Sequence, residues 1–518
     1  MKKLAILLAF FGLTALTSCE MEKYPADKQV MDTALGTLAD LEKFEAGVYS
    51  TFRAAYNVAL VPSDMQADYV NPVKEFGENY GALHRWEYGI DDYDIYDIWV
   101  YAYYAIANAN FVISNKDEIT YDKENPEEVA IFNTILGEMY FVRAMSHFLI
   151  LDKFAGAYNA AKADEAYSGI PIISAFNPTE VPSRATMNQS YASIISDLET
   201  AEDLLAGVEG EANSNYITID AVSAALARVY LQKKDYTNAY NYAKELINDG
   251  TYPLIDTEAG LKALYSSDKG SEVILSFYSS TTELKGVSAA RWFVNDPSNK
   301  NLGFEPNFIP TQKMLDLFAD EDIRKNTYFI VSEDVATTDA TGAAVTRPNC
   351  KIGGNYIKGV YMFNKYPGNP ALQSTPGTKN NVNAIKFFRI AEMYLIAAEA
   401  GILDANATTD GAKYLNDLRQ KRGLAAIDAP TMADVKEERV REMMFEGQRI
   451  SDLKRWGDGL EVRTPQAPID DNVLITTGDH YELLTVPAND FRWVWPIPAK
   501  EVYANQLLNS QQNPGWNS

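Results

Sequence analysis

ITIDAVSAALARVYLQKKDYTNAYNYAKELIN, residues 217–248, is the stretch that decides the fold class. It reads as a helical hairpin, with Ala225 and Ala227 on the first helix and Ala239 and Ala243 on the second. Small residues at such positions let two helices approach closely. Ala227, Tyr230 and Ala239 have the spacing of a tetratricopeptide repeat, a helix pair that buries its core only by stacking on neighbours. KFFRIAEMYLIAAEA, residues 386–400, followed by AKYLNDLRQKR, residues 412–422, predicts a second hairpin of the same kind. Further helices are expected over 41–56, 93–114, 131–151 and 190–205. Between about 250 and 385 the texture changes. EVILSFYS, residues 272–279, reads as a strand, its flanks are rich in Ser, Thr, Gly, Asn and Pro, and 365–381 predicts loop. The expected fold is mostly α with minor β, a helical scaffold carrying long loops. No Gly/Ser linker divides it, so one compact unit is expected.

The chain opens with Lys2 and Lys3 before an apolar core of 13 residues, 4–16, which reads as a secretory signal. A bilayer-crossing helix needs about 20 residues. The core closes on Leu16-Thr17-Ser18-Cys19, which resembles a bacterial lipobox. Such a signal is cut before the cysteine, whose thiol and new amine are acylated, and two or more acyl chains anchor stably. The expected boundaries are a signal over 1–18, a helical region over 19–250 and a second region over 251–518. Residues 19–23 are polar and acidic and suit a tether. Residues 131–151 carry Glu138, Arg143 and His147, so that apolar stretch predicts a core helix and not a membrane span.

Hydrophobic content of 47% with 23% charged residues is globular. The 46 basic and 71 acidic residues give −25, and loss of Lys2 and Lys3 with the signal leaves −27. That surface repels phosphate backbones and argues against nucleic acid as a partner. With Cys19 acylated, only Cys350 remains, so no internal disulfide forms and stability must come from a large core. The 32 Tyr, 22 Phe and 7 Trp offer flat apolar faces with polar edges, which suit sugar rings.

No G-x-S-x-G elbow, Walker A loop, G-x-G-x-x-G turn or H-E-x-x-H helix is present. His84, His147 and His480 are scattered, and His147 on its apolar helix predicts a core role. Asp91-Asp92-Tyr93-Asp94 and Asp404-Ala405-Asn406 offer hard oxygen ligands without the EF-hand spacing. No cofactor or metal is therefore expected, calcium being the one ion these clusters would suit. The densest constellation is VKEERVREMMFEGQRISDLKRWG, residues 435–457. Glu437 stands four residues before Arg441, on the same helix face. Glu438, Arg441, Glu442, Glu446, Arg449, Asp452 and Arg455 predict carboxylate–guanidinium networks locking helix against helix.

In series, several pieces carry a family resemblance. They are the lipobox at Cys19, W-x-x-x-Y-Y-x-I-x-N-A-N at 99–110, YFVRA at 140–144, GIPI at 169–172 and AALARVYL at 224–231. RIAEMYLIAAEA at 389–400, LNDLR at 415–419, ERVREMMFEGQRISDLKRWG at 438–457, PIPAKE at 496–501 and QNPGW at 512–516 follow. The chain resembles the SusD/RagB family of surface lipoproteins in Bacteroidota. One departure, Asn505-Gln506 where many members have Asn-Pro, touches a terminal turn.

The resemblance implies a SusD-like fold with tetratricopeptide-like helix pairs under a loop-rich ligand-binding face. It also implies a location at the outer membrane, lipid-anchored and surface-exposed, and a SusC-like TonB-dependent transporter as partner. The implied function is capture of a glycan for import without catalysis; the alternative is oligopeptide capture, as in RagB-like members. Aromatic platforms are expected before the Trp99 helix, at Tyr80, Trp86 and Tyr88, and in the variable middle region, at Trp292 and Phe293. Arg85, Asp68, Arg291 and Asn295 are the polar residues expected beside them. Trp99 and Trp456 read as framework.

Overall fold

The computed structural model describes residues 34–73, 81–283, 303–339, 341–372, 382–404, 410–467 and 485–516. Its first helix, α1 (Leu38–Met65), starts where the Thr37 side chain accepts from the Asp40 amide. It runs nine residues past the expected end, through Pro62, because residues 61–65 are buried and packing overrides the proline. Helix α2 (Tyr93–Asn115) is capped by Asp92, whose carboxylate accepts from the Asp94 and Ile95 amides. Helix α3 (Pro126–Phe154) starts at an Asn125 cap with proline at the first position, and from Ile135 onward it is buried on nearly every side. It is the central post, with α1, α2 and α4 (Met187–Leu204) against it. Tyr49 Oη donates to Glu138 and Tyr56 Oη to the Met145 carbonyl, fixing α1 on α3.

The hairpin at 217–248 forms as α5 (Ile219–Gln232) and α6 (Tyr236–Asp249), closed by Gly250 at φ +80°. All four alanines singled out in it are fully buried. Helix α7 (Glu258–Ser266) leads to the irregular middle. The second hairpin forms as α8 (Ile390–Leu403) and α9 (Gly411–Lys421), with α8 lying against α6. Its expected start needs correcting: Lys386–Arg389 is strand, not helix. Phe387 packs on Phe52, Tyr56 and Phe277, and the flanking Lys386 and Arg389 find buried acids, so the segment is drawn into pairing before α8 begins. Residues 435–457 form α10 (Met432–Met443) and α11 (Arg449–Trp456), broken where Phe445 and Gly447 take φ +58° and +74°.

Among the described residues the minor β component is five antiparallel pairs. β1 (Val70–Pro72) pairs with β3 (Phe308–Pro310), and β2 (Val273–Ser276) with β10 (Lys386–Arg389). β4 (Phe329–Val331) pairs with β9 (Tyr361–Phe363). β5 (Asp334–Thr338) and β6 (Ala344–Pro348) form a hairpin, as do β7 (Lys351–Ile352) and β8 (Asn355–Tyr356). The C-terminal tail turns back to the first half: the Trp495 amide donates to the Lys153 carbonyl and the Ala499 amide to Ile90.

Candidate functional site

The register of β1 against β3 sets Val70 opposite Pro310 and Pro72 opposite Phe308, and the Val73 amide donates to the Asn307 carbonyl at 2.9 Å. Val73 and Asn307 thus stand side by side at one end of this strand pair. Five of the expected ligand contacts, Tyr80, Arg291, Trp292, Phe293 and Asn295, fall outside the described residues, as do Cys19 and His480.

The four remaining expected contacts are described, and three are committed to the framework. Trp86 is fully buried; its Nε1 donates to the Gln66 carbonyl at 3.2 Å and its ring meets Trp493 edge-on at 4.7 Å. Its φ of +59° is unusual for a bulky side chain and marks a position fixed by its surroundings. Trp86 thus offers no face to a ligand, because the returning tail covers it. Tyr88, 4% exposed, is covered in the same way: its hydroxyl donates to the Arg492 carbonyl and its ring lies against Trp516. Asp68 accepts two bonds from Arg449, at 2.9 and 2.7 Å. Burial alone would raise its pKa, but the Arg449 guanidinium outweighs burial and holds the carboxyl below its usual range. Arg85 is half-buried and pairs with Glu87 at 2.7 Å. The polar neighbours of Trp86 give no local sign of this cover, which comes from about 400 residues away.

The 435–457 block does what its charge pattern predicts. Arg441 meets Glu437 at 3.5 Å and Glu438 at 2.8 Å. Glu442 is the hub: Arg324, Arg389 and Arg422 reach it at 3.0, 2.9 and 2.9 Å, all fully buried. Arg389 and Arg422 also share Glu272, and Arg455 holds Glu399 in a two-pronged pair. Trp456 belongs to this framework, its Nε1 donating to Glu399 at 2.9 Å. Trp99 is buried edge-on to Phe154. His147 is buried, accepting from the Ile173 amide, and burial, then Arg143, pushes its pKa down to about 3, so it stays neutral. Among the described residues no group of three His, Cys, Asp or Glu side chains is placed to hold a metal.

A family model described as "SusD family" matches residues 271–516, and one described as "Starch-binding associating with outer membrane" matches 22–231. The chain belongs to the SusD family. It is 25% identical to SusD-like protein P2 of Formosa agariphila over the whole length of both chains. A SusD superfamily protein from Bacteroides thetaiotaomicron superposes with a TM-score of 0.73 at 23% identity, covering 92% of this chain and all of that one. Surface glycan-binding protein A from the same organism gives 0.70 at 20% identity, covering 93% and 100%. The expected mostly α, SusD-like fold is the observed one. No described helix is long and apolar enough to cross a membrane.

Proposed function

We propose that this SusD-family protein is a glycan-capture lipoprotein of the outer membrane. Anchored through acylated Cys19, it would close over a SusC-like TonB-dependent transporter and pass on the oligosaccharide it holds, catalysing no reaction. The observation that carries the reading is the pair of SusD family models lying in succession over nearly the whole chain, one of them described as starch-binding and associating with the outer membrane. The likeness to a structure named as glycan-binding supports it. With Trp86 and Tyr88 covered, the ligand aromatics fall to Tyr80, Trp292 and Phe293, with Arg291 and Asn295 bonding hydroxyls.

The test is retardation of the mature chain, made lipid-free by Cys19→Ser, in gels containing single polysaccharides. Retardation by at least one glycan, abolished by Trp292→Ala with the melting temperature unchanged, is the expected result. Absence of retardation by every glycan, with retention of basic oligopeptides instead, would overturn it. The −27 surface is what favours that second ligand class.

A further inference from the structure

The loop following α3 and the C-terminal tail enclose a cleft of about 600 Å³ whose residues play no part in the reading above. Arg184 stands in its wall, only 7% exposed. Its Nε donates to the Gly169 carbonyl at 2.8 Å and its Nη1 to the Gln511 carbonyl at 2.7 Å. Both partners are neutral. Among the described residues no carboxylate pairs with this guanidinium and Nη2 has no acceptor, whereas Arg143, Arg324, Arg389, Arg422 and Arg455 all sit on acids. A buried cation left without a counter-charge is costly unless something else supplies one. Burial lowers its pKa to about 10, which still leaves it charged at neutral pH.

Two aromatics line the same cleft and are open to solvent. Tyr167 is 46% exposed and held at φ +63°, a conformation a bulky side chain adopts only under constraint. Phe491 is 44% exposed, with its ring edge-on to Trp516 at 4.9 Å. Lys162 and Glu165 on the lining offset each other. The negative surface as a whole is screened beyond about 8 Å at physiological salt, so a short-range contact with Arg184 can still capture an anion.

We propose that this cleft is a subsite for a sugar carrying an anionic group, a uronate carboxylate or a sulfate ester. Arg184 Nη2 takes the charge, and Tyr167 and Phe491 pack on the ring faces. This rests on the glycan-capture reading. The experiment titrates the lipid-free mature chain with polygalacturonate, a sulfated galactan, starch and xylan, beside Tyr167→Gly and Arg184→Lys. Binding of an anionic polymer, weakened at least tenfold in both variants, is the expected result; which of the two polymers binds identifies carboxylate or sulfate. Glycine relieves the left-handed backbone at 167, so Tyr167→Gly should melt at or above the wild-type temperature while losing affinity, which separates binding from folding. Binding of neutral glycans only, or anionic binding that both variants retain in full, would overturn the subsite and leave glycan capture standing. No binding to any of the four would overturn the subsite, while glycan capture itself stands or falls on the wider gel panel and its oligopeptide arm.

Discussion

Trp86 and Glu442 show two ways in which a single side chain holds this molecule. Trp86 fills a site closed by Trp493 and by Arg492, whose Nη1 donates to the Trp86 carbonyl at 3.0 Å. Trp86→Ala should therefore cost about 3 to 5 kcal/mol in urea unfolding, as large aromatic truncations in cores do. The sequence around it, Leu83-His84-Arg85-Trp86-Glu87, is polar enough to suggest a loop, and nothing local reveals that the tail covers it. Burial imposed by remote chain is invisible to a local reading. At Glu442, burial alone would raise the pKa, but Arg422, then Arg389 and Arg324, outweigh it and hold the carboxyl well below its usual range. A depressed folded pKa contributes stability that is fully present above the ordinary glutamate value, about 4.3, and is lost as pH falls through the folded value. Glu442→Gln leaves three buried guanidinium groups short of a partner, and about 3 to 5 kcal/mol is the expected loss at pH 7. Urea titrations of both proteins from pH 7 to pH 3 should show the gap narrowing only below about pH 4.

Helix pairing in this fold depends on where small residues let backbones touch. A Cβ on Gly401 of α8 would lie 2.7 Å from the Gly411 Cα, and one on Gly411 would lie 2.7 Å from the Ala398 carbonyl oxygen. Backbone atoms cannot move aside as a flexible side chain would, so Gly401→Ala should force α8 and α9 apart and cost about 1 to 3 kcal/mol by denaturant unfolding. Gly207→Ala, where an added Cβ meets nothing within 4 Å, is the control expected to be near neutral. The helix hairpins were legible because their periodicity and alanines are local signals. KFFR at 386–389 was not: it adjoins a strong helical run, and its strand state is decided by pairing with β2, more than a hundred residues earlier. The carboxylate–guanidinium pattern of α10 and α11 was legible as pairing. Its partners Arg324, Arg389 and Arg422 lie outside both helices, and no spacing rule links them to Glu442.

Across the whole molecule, the tail completes the first half by satisfying the end of its central helix. The last carbonyls of a helix have no partner within it. At the end of α3 they are taken by distant groups: Lys454 Nζ bonds the Asp152 carbonyl, the Trp495 amide the Lys153 carbonyl and Asn513 Nδ2 the Phe154 carbonyl. Trp495 is itself buried, its Nε1 donating to Gln66 Oε1 at 2.9 Å, and Arg184 ties the Gln511 carbonyl to the same region. The two sequence regions divided at about 250 thus share one core, in which α8 of the second lies against α6 of the first. A chain ending at residue 487 would leave buried carbonyls without donors and open cavities where Trp493 and Trp495 stood. It should lose the single cooperative transition expected of the full mature chain, with near-UV circular dichroism fading before the far-UV helical signal. If the truncated chain instead melts in one transition within a few degrees of the full one, the tail is an appendage and the first region folds without it.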